Sequence, residues 1–268
     1  MNILLISGGF IDADFAADFC REKHFDKMIA VDGGLKTTDC LRLGAQPFDG
    51  VSCGCLTDIV GDFDTVDPAL LEKYGNLPQK APADGQMEAE MKKAVPGHLP
   101  PAIHQFNPEK DYTDTDIALK LAIDYCERAA EAAREPGDKQ YSCQQGMDSE
   151  IWILGATGTR LDHVLANISM LLLPFRRGIR AWIVDAHNRI CLVSGKRVIE
   201  KSKSFGKYLS LIPLTPVISG VTLTGVKYPL RDHTVLLGES LCVSNEITQE
   251  QAVIEVKEGI AVVLETRD

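Results

Sequence analysis

This sequence lacks any run of Lys and Arg that would offer a nucleic-acid footprint. Across 268 residues, 28 basic side chains face 38 acidic ones, a formal net charge of -10, so the electrostatic footprint of a nucleic-acid binder is missing and no nucleic-acid partner is expected. Long apolar runs are absent too, and Met1-Asn2-Ile3-Leu4-Leu5-Ile6 carries no basic segment before it turns into Ser7-Gly8-Gly9. The expectation is a cytoplasmic protein with no membrane partner. Cysteines occur at 20, 40, 53, 55, 126, 143, 191 and 242, but the one close pair, Cys53-Gly54-Cys55, lacks thioredoxin or zinc-ribbon spacing. Reduced thiols used mostly in packing are expected. The first glycine turn does not complete a GxGxxG dinucleotide fingerprint, and no internal repeat is evident.

What is present is enough apolar residue, 45%, for a sizeable core, and a repeated local pattern. An apolar run ends on glycine and polar residues, and a helical period follows. Residues 2–6 lead into Ser7-Gly8-Gly9 and a helix with Phe15, Ala16, Phe19 and Cys20 on one face. Lys27 to Val31 leads into Asp32-Gly33-Gly34 and a helix over 35–43, and Leu56 to Val60 leads into Gly61-Asp62-Phe63-Asp64-Thr65 and a helix opened by Asp67-Pro68. Such units predict a parallel sheet whose ligands sit at the carboxyl ends of the strands. Residues 75–101, broken by Pro and Gly, read as an insertion.

A strand over 102–106 and a helix with Ile117, Leu121 and Tyr125 on its inner face follow, Thr113 serving as N-cap. After a loop over 136–149, Ile151 to Leu154 runs into Gly155-Ala156-Thr157-Gly158-Thr159-Arg160-Leu161-Asp162-His163. The next helix carries Leu165, Ile168, Ser169 and Leu172 inward and stops at Pro174. Strands over 180–185 and 190–193 close this part. Beyond Lys207 only short strands separated by Gly, Pro or Asn remain. The fold class is therefore α/β, a mostly parallel Rossmann-like sheet with flanking helices over 1–198, followed by a smaller all-β domain over 199–268.

The acids at strand ends carry the chemistry. Asp62 and Asp64, at i and i+2, would leave a strand on the same side roughly 7 Å apart at the backbone and could converge on one ion. Without a cation they would repel by about 1 kcal/mol in water and about 4 at an effective dielectric near 20. An ordinary solvated turn is the alternative. Asp114 and Asp116 suit a helix N-terminus through the dipole alone, but Lys110 and Asp111 have no such reason to be there. Together these acids fit Mg²⁺, which takes hard oxygen ligands and substrate phosphates. Arg160, Asp162 and His163, in a glycine-rich turn at another strand end, suit an anion, although capping or packing also accounts for His163.

The order Asp-Gly-Gly at 32–34, Gly-Asp-Phe-Asp-Thr at 61–65, Glu-Lys-Asp-x-Thr-Asp at 109–114 and Leu-Gly-Ala-x-Gly-x-Arg-x-Asp-His-x-x-Ala-Asn at 154–167 resembles the thiamine pyrophosphokinase family. Gly225-Val226-Lys227-Tyr228-Pro229-Leu230 and Val243-Ser244-Asn245-Glu246 extend the resemblance into the β region. It implies an α/β nucleotide domain, a β-sandwich domain and a homodimer with thiamine at the subunit interface. It also implies transfer of a pyrophosphoryl group from ATP to thiamine. Carried over, Asp62, Asp64, Asp111 and Asp114 would hold Mg²⁺. Asp32, Gly33, Gly34, Thr65 and Arg160 would serve ATP, and Lys110, Arg160, Asp162 and His163 would complete the catalytic edge. Tyr228, Ser244 and Asn245 would bind thiamine. A pyrophosphokinase for another hydroxymethyl heterocycle such as a pterin, an Asp-x-Asp glycosyltransferase and a non-enzymatic nucleotide or thiamine sensor remain alternatives.

Overall fold

The computed structural model describes residues 1–41, 56–75, 101–107, 112–133 and 149–268. Most of the expected insertion at 75–101 and of the loop at 136–149 lies outside these residues, as do Lys110, Asp111, Cys53, Cys55 and Cys143.

The parallel half of the sheet is built from β1 (Asn2–Ile6), β2 (Lys27–Val31), β3 (Leu56–Gly61), β4 (Ala102–Gln105), β5 (Glu150–Leu154) and β6 (Arg180–Val184). They pair in the order β4-β3-β2-β1-β5-β6. Of these, β1, β2, β5 and β6 read as near-continuous apolar runs because both faces are covered, whereas the edge strand β4 does not. In β1, Ile3 and Leu5 enter one core cluster while Leu4 and Ile6 enter the other. Each such side chain contributes about 1.5–3 kcal/mol when fully buried. The chain passes from β1 outward through β2, β3 and β4, then returns to the opposite side of β1 with β5. That reversal opens a crevice beyond the carboxyl ends of β1 and β5.

The helices cover the two faces. In α1 (Ala13–Glu22), the Asp12 carboxylate caps the amide of Phe15 at 2.8 Å, and Ala16, Phe19 and Cys20 are buried as their spacing predicts. Next come α2 (Gly34–Cys40) and α3 (Pro68–Gly75). Thr113 caps α4 (Asp114–Ala132), accepting from Asp116 N at 3.2 Å. The face of α4 differs by one position from expectation. Ala118, Leu119, Ala122, Ile123 and Cys126 are buried, whereas Ile117, Leu121 and Tyr125 flank them, because the two alanines let the helix seat closely on the sheet.

A second difference concerns the helix after β5, which breaks at Leu171 into α5 (Leu161–Met170) and the single turn α6 (Leu172–Phe175). Leu165, expected inward, is 66% exposed, and Asn167 takes the buried position instead. Its side-chain amide donates to Ala156 O at 2.7 Å, which sets the rotation of the helix.

The remaining strands are antiparallel: β7 (Asn188–Glu200), β8 (Tyr208–Pro213), β9 (Val217–Thr224), β10 (Leu230–Leu236), β11 (Asn245–Glu246) and β12 (Gln251–Thr266). Instead of stopping at Val193, β7 runs through Gly195 to Glu200 and crosses the expected boundary at 198/199. It pairs with β6 at one end and with β12 along its length, so the two regions share one continuous sheet. The β7 edge of β12 shifts register between Val256 and Ala261, and on the other edge β12 pairs with β9 over Val253–Glu258 and with β8 over Ala261–Thr266. Among the described residues no helix is long and apolar enough to cross a membrane.

Candidate active site

The three acids nearest the carboxyl edge of β2 and β3 converge. Oxygens of Asp32, Asp62 and Asp64 all lie within 4.8 Å of one another. The means of convergence is not the strand alternation expected from sequence. β3 ends at Gly61, and Phe63 takes a left-handed conformation, φ 64°, so the chain reverses. The Phe63 ring folds back beside Gly61 onto the core, and Asp64 N donates to Asp62 Oδ1 at 3.3 Å. Asp32 is also left-handed, φ 46°, and its amide donates to Val60 O at 2.8 Å, stitching the end of β2 to that of β3. Gly34 is required by close approach: a Cβ there would lie 1.9 Å from Ile6 O.

Electrostatics reflects the crowding of like charges. The Asp64 carboxyl is raised above the ordinary carboxylate range, chiefly by the charge of Asp62, with desolvation and then Asp32 and Asp114 adding to it. Oδ2 of Asp32 accepts from the Thr65 hydroxyl, whereas Oδ1 is buried without a hydrogen-bond partner among the described residues. A buried bare carboxylate oxygen beside two further carboxylates is the donor set that a hard divalent cation such as Mg²⁺ takes. Asp32, assigned by resemblance to nucleotide binding, thus belongs spatially with the metal candidates. Asp114 opens α4 and acts on Asp64 electrostatically.

The turns bordering the crevice are fixed by contacts that sequence reading missed. Ser7 Oγ and Thr115 Oγ1 meet at 2.7 Å in the interior, tying the first glycine turn to the start of α4. Ser7 N and Gly9 N donate to Leu154 O and Gly155 O at 2.9 and 3.0 Å. Gly155, at φ 70°, would place a Cβ 2.3 Å from Ser7 O, so the two turns touch backbone to backbone. Thr157 Oγ1 donates to Asp185 Oδ2 at 2.7 Å. Asn167 and Ala156 were visible in the motif at 154–167, but nothing in the spacing disclosed their bond.

Arg160 and Asp162 engage each other, Nε to Oδ1 at 3.2 Å and Nη2 to Oδ2 at 2.6 Å, both exposed at the start of α5. The hydrogen bond from Arg160 is the main reason that the Asp162 carboxyl falls below its ordinary range. His163 is exposed beside them. These three therefore stand beyond the carboxyl end of β5, with β1 between that strand and β2, and are not among the converging acids.

Tyr228, Ser244 and Asn245 come together in the β region. Tyr228 is 61% exposed, Asn245 is buried, and Ser244 is left-handed at φ 59° with its amide donating to Ser210 Oγ at 2.9 Å. The Asn245 amide bonds the backbone of Tyr228.

Comparison with known proteins follows the same division. The description "Thiamin pyrophosphokinase, catalytic domain" matches residues 21–183, and "Thiamin pyrophosphokinase, vitamin B1 binding domain" matches residues 196–261. The chain is 31% identical over 195 residues to thiamine pyrophosphokinase of Bacillus subtilis strain 168, covering 72% of this chain and 81% of that one. A crystal structure of thiamine pyrophosphokinase from Bacillus subtilis superposes with a TM-score of 0.69 at 25% identity, covering 100% of both chains. Thiamin pyrophosphokinase from Candida albicans shares the fold, with a TM-score of 0.67 at 18% identity over 99% of this chain and 88% of that one. With the acidic trio at the sheet edge and both regions matched, the chain belongs to the thiamine pyrophosphokinase family.

Proposed function

We propose that this protein transfers the β,γ-pyrophosphoryl group of ATP to the hydroxyl of thiamine, forming thiamine diphosphate and releasing AMP. The thiamine oxygen attacks the β-phosphorus, the bond from that phosphorus to the α-phosphate bridging oxygen breaks, and the hydroxyl proton is lost. The observation that carries this reading is the convergence of Asp32, Asp62 and Asp64 at the carboxyl edge of a parallel sheet. Phosphoryl-type transfer needs positioning and charge neutralisation more than covalent chemistry.

Asp32, Asp62 and Asp64, with Asp114 near them, would hold Mg²⁺. Bound there, the cation would neutralise phosphate charge as it develops. Thr65 orients Asp32 through its hydroxyl, and the glycines of the turns at 8–9, 33–34 and 155 let these turns pack backbone to backbone at the carboxyl edge. Arg160, held by Asp162, is the candidate cation for the triphosphate, with His163 beside it. Lys110 and Asp111 stay as candidates from their sequence motif. Tyr228 and the Ser244 turn would receive thiamine. A homodimer in the cytoplasm completes the reading.

Incubation with ATP, Mg²⁺ and thiamine, followed by chromatography, tests the activity. AMP and thiamine diphosphate in equal amounts are expected. ADP with a monophosphate ester would make the protein an ordinary kinase and overturn the reading.

A further inference from the structure

Asn245 was expected to touch substrate, yet its amide is already committed. Oδ1 accepts from Tyr228 N at 3.0 Å and from Glu246 N at 2.9 Å, and Nδ2 donates to Tyr228 O at 2.8 Å. Both acceptor sites and one of the two N-H donors are thereby used, in a side chain only 4% exposed. The amide meets the N-H and C=O of one residue as a neighbouring strand would. It does so where true backbone pairing runs out. Val226 bridges Ile247, and Lys227 N donates to Glu246 O at 2.9 Å, but Tyr228 is held by the side chain of Asn245 in place of a main chain. On its other edge Asn245 pairs with Leu209 of β8, so the clip is anchored from both sides.

The consequence falls on Tyr228. Its backbone is pinned while the residue stays 61% exposed, with Lys227 Nζ 5.5 Å from the ring centroid, within the region matched to vitamin B1 binding. An exposed aromatic ring on a held backbone suits a planar heteroaromatic cation, and holding the main chain lowers the entropy lost on stacking. We propose that Asn245 is a positioning residue that presents Tyr228 to thiamine and acts on the substrate through that ring, an inference resting on the thiamine site proposed above.

A double-mutant cycle on the full chain tests it, reading KM for thiamine and KM for ATP in Tyr228→Ala, Asn245→Ala and the double variant. Tyr228→Ala should raise the thiamine KM roughly three- to tenfold, the range of one aromatic contact. Asn245→Ala should do the same, the double variant should match Tyr228→Ala within about twofold, and the ATP KM should stay put. Losses that multiply would show Asn245 touching substrate directly and overturn the proposal, with the site itself standing. An unchanged thiamine KM in Tyr228→Ala would overturn the thiamine site at Tyr228 and the proposal with it. Should Asn245→Ala fail to fold, Asn245→Asp keeps both accepted bonds and turns the one donated to Tyr228 O into repulsion between two oxygens. It should raise the thiamine KM alone, and again no further in the Tyr228→Ala background; multiplied losses there overturn the proposal equally.

Discussion

The Thr65 hydroxyl donates to Oδ2 of Asp32 across 33 residues of chain, while Oδ1 of the same carboxylate is buried with no partner among the described residues. One oxygen is thereby engaged and the other kept for a ligand. Thr65→Val should remove the orienting bond at nearly constant shape. A charge-assisted bond at a partly exposed site is worth about 1 kcal/mol, or roughly a fivefold weaker apparent Mg²⁺ affinity. Thr65→Ser should keep the affinity of the parent. The Mg²⁺ dependence of AMP release at saturating ATP measures both, and an unaltered curve for Thr65→Val would remove Asp32 from the metal site.

Asp62→Asn and Asp64→Asn should separate stability from turnover. The raised carboxyl of Asp64 means that the folded chain holds this proton more tightly than the unfolded one. Ionised Asp64 therefore opposes folding above its folded pKa, and the opposition lifts as pH falls through that value. Without metal at neutral pH, Asp64→Asn should melt no lower than the parent. Mg²⁺ should raise the Tm of the parent and leave that of the variant nearly unchanged. Turnover should fall by about a hundredfold or more in either variant. Near-normal rates at saturating Mg²⁺ and ATP would defeat the metal assignment.

Sequence pattern revealed the apolar strands and their polar turns because parallel strands need continuous apolar runs and tight strand-to-helix turns need glycine. Asp62 and Asp64 were visible as a pair, but their convergence depends on the left-handed Phe63, which no propensity predicts. Asp32 joined them only through the pairing of β2 with β3. The length of β7 was hidden because Val193-Ser194-Gly195-Lys196 resembles a strand end, whereas β12 pairs with β7 on both sides of it, across a shift of register between Val256 and Ala261. Side-chain clips such as Ser7 to Thr115 and Asn245 to Tyr228 are long-range and carry no period.

A third such contact makes a pH prediction. Asp58, 1% exposed, accepts at Oδ1 from Tyr125 OH at 2.8 Å and pairs there with His104 Nε2 at 2.9 Å. Tyr74 OH similarly bonds Asp39 Oδ1 at 3.0 Å. Burial first, and then the carboxylate, holds both phenols well above their ordinary value. A folded pKa above the unfolded one gives stability that is complete below the unfolded value, about 10, and is lost as pH rises beyond it. Tyr74→Phe and Tyr125→Phe should each flatten part of the alkaline fall in Tm. Tyr125→Phe should also cost about 1–2 kcal/mol at pH 7, because Asp58 loses a partner in the interior. Urea unfolding at pH 7 and 10.5 checks both, and parallel pH profiles for variant and parent would refute the linkage.

Arg160 and Asp162 allow catalytic and structural roles to be told apart cleanly, because their pair stands in solvent, with side chains 70% and 64% exposed. Exposed pairs of this kind contribute little to folding, so Arg160→Ala and Asp162→Asn should each change stability by no more than about 0.5 kcal/mol. The turn that carries them is nevertheless fixed at both ends, by Thr157 on Asp185 and by Asn167 on Ala156. A side chain presented from a rigid turn but spent on no folding interaction is free to serve a ligand. Arg160→Ala should raise the ATP KM and lower kcat together while leaving the thiamine KM nearly unchanged. Asp162→Asn, which keeps one acceptor for Arg160 but removes its charge, should show a smaller change in the same direction. Unaltered kinetics in both variants would take the turn at 155–163 out of the active site and leave the triphosphate to other cations of the chain.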